Sequence, residues 1–153
     1  MLPRLKVLFL CTGNSCRSQM AEAWTRHLHG ERFEVYSAGT RPGVLDERAV
    51  RVMGEAGVGM SGHRSKSVDE VAGVDVDCVI TVCDSARESC PVLPGNTRHL
   101  HAGFEDPPRL AAGASSEEEA LAPYRQVRDE IREFVRELPG SLEGQAAGKE
   151  GPS

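Results

Sequence analysis

No apolar run in the sequence is long enough to cross a bilayer. The start also lacks the longer apolar region and small-residue cleavage site of a secretory signal. Residues 5–10 are apolar apart from Lys6, and Cys11 and Gly13 then end the run. Basic charge is not in surplus: 18 Lys and Arg against 23 Asp and Glu leave a formal net charge of −5. That balance argues against a general binder of nucleic acid or of anionic membranes. Any anion this chain binds must be held by local geometry, against the overall charge. The five cysteines, Cys11, Cys16, Cys78, Cys83 and Cys90, are odd in number and form no C-x-x-C pair. A disulfide framework and a zinc knuckle are both disfavoured, and no metal site is expected. What remains is thiol chemistry in a reducing compartment, which places the protein in the cytoplasm. No internal repeat is visible.

What is present reads as alternating strands and helices. Residues 5–10 form a first strand covered on both faces. Residues 11–18 form a polar loop, and residues 19–29 a helix with Met20, Ala23, Trp24, His27 and Leu28 on one side. Residues 33–37 form a second strand. Asp46 caps a helix running to about residue 56, with Ala49, Val52 and Met53 facing inward. Residues 57–67 form a loop and residues 68–72 a short helix. Residues 77–82 are a strong strand and residues 97–101 a weaker one. Glu117, Glu118 and Glu119 after Ser116 suit the first turn of a helix. Tyr124, Val127, Ile131, Phe134, Val135 and Leu138 then give the clearest helical stripe in the chain. Pro139-Gly140 ends it. Residues 1–140 are therefore read as one catalytic α/β domain and residues 141–153 as a disordered tail. Such alternation predicts a parallel sheet with helices on both faces and a ligand at the carboxyl ends of the strands. Cys11 and Cys83 both fall at such ends.

The segment Cys11-Thr12-Gly13-Asn14-Ser15-Cys16-Arg17-Ser18 joins a strand to a helix and carries a C-x5-R spacing followed by Ser. Each residue type has a physical task in holding a tetrahedral oxyanion. A loop curled around such an anion needs several inward N–H groups, and Gly13 and Asn14 can adopt the left-handed angles of that curl. The start of the following helix adds positive dipole character. Arg17 can clamp two anion oxygens with parallel hydrogen bonds. The same positive field favours the thiolate form of Cys11, and Ser18 is placed to hydrogen-bond it. Residues 12–18 are thus the candidate oxyanion-binding set, with Cys16 read as structural. A second thiol segment runs Cys83-Asp84-Ser85-Ala86-Arg87-Glu88-Ser89-Cys90-Pro91. If it is helical, Cys83 and Cys90 lie about two turns apart, too far for a disulfide without local unwinding. Cys78 reads as core. Glu105-Asp106-Pro107-Pro108 offers a carboxylic acid in a late loop, able to protonate a departing oxygen. His63 and Arg64 lie in a loop that can approach the crevice. His99 and His101 share a strand face, with packing the better reading than a metal pair.

The first loop resembles that of the low-molecular-weight protein tyrosine phosphatases and of the arsenate reductases that share their fold. Ser37-Ala38-Gly39-Thr40, Ser61-Gly62-His63-Arg64-Ser65, Phe104-Glu105-Asp106-Pro107 and the 124–138 helix extend the likeness over nearly the whole ordered chain. The resemblance implies a single-domain three-layer α/β/α fold with a four-stranded parallel sheet. It implies Cys11 as nucleophile, Arg17 as oxyanion clamp and Asp106, rather than Glu105, as the acid. With Cys83 and Cys90 it resembles the thioredoxin-coupled arsenate reductases. That implies arsenate as substrate (phosphate or sulfate as mimics), a relay from Cys11 through Cys83 to Cys90, and electrons from reduced thioredoxin, with no tightly bound cofactor. A monomer is expected. The alternative is a tyrosine phosphatase using the same Cys11, Arg17 and Asp106. In low-molecular-weight phosphatases tyrosines usually follow the Asp-Pro, whereas Pro108-Arg109-Leu110 follows here. Some reductases of the family bind potassium through an Asn, a Glu and a Ser, which Asn14, Glu22 and Ser37 resemble. Lys66 stands where those members have a further acidic ligand, so its ammonium opposes a cation there.

Overall fold

The computed structural model describes residues 4–83, 97–140 and 142. Strand β1 (Leu5–Cys11) is followed by helix α1 (Arg17–His29), strand β2 (Phe33–Gly39) and helix α2 (Glu47–Glu55). A single 3-10 turn (Val68–Val71) precedes strands β3 (Cys78–Thr81) and β4 (Arg98–His101), and helices α3 (Pro107–Ala111) and α4 (Glu117–Arg136) complete the described elements. The strands form one four-stranded sheet in the order β2-β1-β3-β4, and every pairing is parallel. Val7, Leu8, Phe9 and Leu10 point alternately to the two faces of the sheet, yet none is more than 2% exposed. Both faces are therefore covered, as the unbroken apolar run of β1 requires. No helix of the described residues is long and apolar enough to cross a membrane.

The caps explain where the helices start. Asp46 accepts from the Arg48 N–H at 2.9 Å to open α2, and Ser116 accepts from the Glu119 N–H at 3.1 Å to open α4. Tyr124, Val127, Ile131 and Val135 are buried along one stripe of α4, while Phe134 packs edge-on against Phe104. Trp24 joins α1 to α4: its Nε1–H donates to the Arg128 carbonyl at 3.1 Å and the Arg132 guanidinium lies 5.9 Å over its ring. Leu142 is buried and its carbonyl accepts from Arg98 at 3.0 Å.

Several details of the expected pattern differ, and Leu142, in the segment expected to be a disordered tail, is buried at 3% exposure. Helix α1 begins at Arg17 rather than Gln19, and His27 and Leu28 of its apolar side are exposed, Leu28 by 38%. The reason is that Ser18 through Thr25 are buried on every side of α1, whereas its last turn emerges from the covered region. In addition, Pro107-Pro108 opens a helix instead of continuing a loop, with Pro at the first helical position where its missing N–H has no partner to lose.

Candidate active site

The loop after β1 is shaped from outside. The carbonyls of Cys11, Thr12, Gly13 and Ser15 accept from the N–H groups of Thr40 (3.2 Å), Arg41 (2.8 Å), Gly43 (2.9 Å) and Asp46 (2.9 Å). The Asn14 carbonyl accepts from the Ser65 hydroxyl at 2.6 Å and from Gln19 Nε2 at 3.0 Å. In a planar trans peptide the carbonyl and the next residue's N–H point in opposite directions. Carbonyls of residues 12–15 tied outward therefore turn the N–H groups of residues 13–16 inward. That is the concave set of donors an oxyanion needs. The left-handed turn falls on Asn14 alone, with φ of 49°. Gly13, expected to share that conformation, is not among the positive-φ residues. Asn14 tolerates the angle because both faces of its side-chain amide are bonded. Its Nδ2 donates to Ser18 Oγ at 2.8 Å and Ser37 Oγ at 3.0 Å, and its Oδ1 accepts from the Lys66 N–H at 2.9 Å.

Cys11 sits at the head of this cradle, 3% exposed. Its Sγ accepts from the Asn14 N–H at 3.2 Å and shares a hydrogen bond of 2.9 Å with Ser18 Oγ. Helix α1 starts just behind it, so the positive end of the helix dipole faces the same point. Cys16 is different. Burial pushes its thiol well up, and the negative fields of Asp46 and Asp106 add to the shift. It stays a protonated structural thiol while lending its backbone N–H to the loop.

Beneath the loop lies a polar floor in which the resemblance named Asn14, Glu22, Ser37 and Lys66, but not Gln19. Gln19 is fully buried; its Nε2 also reaches the Arg64 carbonyl at 2.8 Å and its Oε1 meets His63 Nδ1 at 2.8 Å. Ser37 donates to Glu22, which pairs with Arg26 at 2.7 Å. Lys66 Nζ lies 3.1 Å from the Arg64 carbonyl, 3.5 Å from Asn14 Oδ1 and from Ser37 Oγ, and 4.0 Å from Glu22. The lysine ammonium thus stands among the same oxygens that the resemblance offered to potassium. Burial holds both Lys66 and His63 below their usual ranges, Glu22 opposing in each case. The Arg64 side chain, by contrast, turns to solvent and pairs with Glu70 at 2.6 Å.

Gly39, so far only a member of the Ser37–Thr40 motif, has a role that the sequence left unstated. At the end of β2 it pairs with Cys11. An added Cβ would lie 2.6 Å from the Thr12 carbonyl and 2.9 Å from the Asn14 nitrogen, both backbone atoms that no rotamer can move aside. Gly39→Ala is therefore expected to displace the loop. A denaturant titration should show a loss of about 1–3 kcal/mol, and calorimetric binding of inorganic phosphate should weaken in parallel. A variant with unchanged phosphate affinity would refute this role for the close approach.

At the carboxyl ends of β1 and β3 a cavity of about 460 Å³ opens. Thr12, Arg17, Cys83, Phe104, Asp106 and Arg109 are among its lining residues. Arg17 donates to the Phe104 carbonyl at 3.0 Å and lies 3.5 Å from Asp106 Oδ1, so the residues expected as clamp and acid meet across the opening. Cys83 is 5% exposed, with Sγ 3.4 Å from Thr12 Oγ1. Cys83 thus lines the crevice, and Cys11 precedes its lining residue Thr12 in the chain. Cys90 and the rest of residues 84–96 lie outside the described residues. Cys78 is core at 2% exposure, and His101 is bonded to Thr81 at 2.8 Å.

A parallel α/β sheet carrying a cysteine-headed oxyanion cradle and an opposed carboxylic acid defines a class of thiol enzymes acting on tetrahedral oxyanions. Within it, the family described as low molecular weight phosphotyrosine protein phosphatase matches residues 6–147, and the chain belongs to that family. It is 41% identical over 130 residues to the arsenate reductase of Halalkalibacterium halodurans, covering 85% of this chain and 91% of that one. A solved arsenate reductase in a phosphate-binding state is similar with a TM-score of 0.70 at 30% identity, over 90% of this chain and 98% of that chain. The thioredoxin-dependent arsenate reductase of Corynebacterium glutamicum gives a TM-score of 0.70 at 29% identity, over 94% of this chain and 64% of that longer one.

Proposed function

We propose that the protein is a cytoplasmic arsenate reductase that works by a three-cysteine relay and is regenerated by thioredoxin. The observation that carries this reading is the placement of Cys83 on the rim of the same cavity as Arg17 and Asp106, one strand over from Cys11. A phosphatase has no use for a thiol there.

Arsenate enters the cradle of inward N–H groups and is gripped by Arg17. Cys11 thiolate attacks arsenic, and an oxygen leaves as water with the proton supplied by Asp106. Cys83 thiolate then attacks Cys11 Sγ. A sulfur–sulfur bond forms, the sulfur–arsenic bond breaks, and its electron pair stays on arsenic, which departs as arsenite. Cys90 attacks Cys83 and releases Cys11 as thiolate. The Cys83–Cys90 disulfide is reduced by the two thiols of thioredoxin. Lys66 supplies the positive charge beside Asn14 and Ser37, so potassium has no part in this scheme.

The alternative is phosphotyrosine hydrolysis, the activity in the family's description. It uses Cys11, Arg17 and Asp106 and replaces the sulfur attack with attack by water. One assay separates the two. The protein is incubated with arsenate, thioredoxin, thioredoxin reductase and NADPH, and separately with an aryl phosphate. NADPH oxidation matched one for one by arsenite is the expected result. Aryl phosphate hydrolysis without arsenate-dependent NADPH oxidation would sink the reductase reading.

A further inference from the structure

We propose that Arg109 is the substrate-capture residue of this site: a second guanidinium at the cavity mouth that draws in the oxyanion dianion before Arg17 takes it. The proposal rests on the reading that the cavity accepts a free tetrahedral oxyanion.

The case begins with charge. The whole chain carries −5, so a dianion approaching from solvent is repelled on average. The cavity does not reverse this through Arg17 alone. Its lining includes two carboxylates, Glu105 and Asp106, and two guanidiniums, Arg17 and Arg109. Without Arg109 the lining carries no net positive charge. Arg17 is moreover already engaged, by the Phe104 carbonyl and by Asp106.

Position and freedom supply the rest. Arg109 follows Asp106 by three residues at the start of α3, so the two share one side of the turn and both line the cavity. Arg48 is committed to Glu117, Arg64 to Glu70 and Arg26 to Glu22, and the exposed Arg41 does not line the cavity. Arg109 is exposed, and its side chain has no hydrogen bond or ion pair among the described residues. An exposed cation on the cavity wall with no internal partner is available to an incoming anion. Because it works from a solvent-exposed position, its pull must be strongly screened by salt.

The test uses the intact protein and inorganic phosphate as probe, alongside arsenate turnover. In Arg109→Gln, phosphate affinity at low ionic strength should fall about tenfold, and the gap to wild type should close to about twofold at high salt. The kcat/KM for arsenate should fall by the same factor, through KM rather than kcat. Arg109→Lys, which keeps the charge, should stay within about threefold of wild type. Equal phosphate affinity in wild type and Arg109→Gln at low salt would overturn the proposal. So would a loss that does not change with salt, which would mean a distorted α3 instead of a lost charge. If phosphate binding responds as expected but wild type reduces no arsenate, Arg109 keeps its role and the reductase assignment falls.

Discussion

Cys11→Ser is expected to lower arsenate turnover by on the order of 10³-fold or more, to the level of the assay background. Two separate properties are lost. A serine hydroxyl in the same cradle is far harder to ionise than a thiol, so the Asn14 N–H and Ser18 Oγ that now meet Cys11 Sγ have no anionic nucleophile to stabilise. More decisive is that oxygen cannot accept the second attack. Arsenate leaves as arsenite only if the atom bonded to arsenic can itself be oxidised, and sulfur can where a hydroxyl oxygen cannot. The cradle should survive. Its donors are main-chain N–H groups together with Arg17; only the Asn14 N–H meets the sulfur, and the Gly43 N–H holds that peptide through the Gly13 carbonyl. Phosphate binding by calorimetry should therefore persist in the variant while arsenite production stops. Arsenite formation above about 1% of wild type would remove Cys11 from the nucleophile role.

The part of this site that could be read from sequence was the local part. Cys11, Gly13, Asn14, Arg17 and Ser18 lie within a few residues of each other between a strand and a helix, so their spacing alone states the chemistry. The supports come from far along the chain and leave no local mark. Gly39 stands in a motif of the resemblance, but only its register shows that it lies against Cys11. Gln19 reads as a polar helix residue until burial shows it holding Asn14, Arg64 and His63 together. Residues 40–46 look like a connector, yet their N–H groups turn the loop's carbonyls outward. Periodicity identified α1 but could not say where its cover ends, which is why His27 and Leu28 were placed inward. The helix at Pro107 had a readable signal, a proline at the first helical position, that the acidic turn before it obscured.

A wild-type chain without thioredoxin and a Cys90→Ser chain are expected to produce about one arsenite each and then stop, while Cys83→Ser produces none. Among the described cysteines Cys83 lines the cavity with Arg17 and Asp106, and in the proposed relay it takes the oxidation from Cys11. The resulting Cys11–Cys83 disulfide joins two residues that are 3% and 5% exposed, leaving a partner protein almost no sulfur to attack. A third thiol must carry the disulfide outward, and Cys90 is the cysteine proposed for that step. Neither remaining cysteine can stand in. Cys16 is held as a protonated thiol by burial and by the nearby carboxylates, and a thiol that does not ionise does not exchange. Cys78 is in the middle of the sheet at 2% exposure, on the strand that β1 and β4 enclose. Loss of Cys90 should thus be uncompensated, lowering steady-state turnover with thioredoxin by on the order of 10²-fold or more, while the first arsenite still appears at the wild-type rate. Rapid-quench arsenite yields and free-thiol counts at the end of the burst read this directly, with two thiols lost per chain. Sustained turnover by both Cys83→Ser and Cys90→Ser would mean that thioredoxin or another thiol reaches Cys11 itself, and the relay would have to be abandoned.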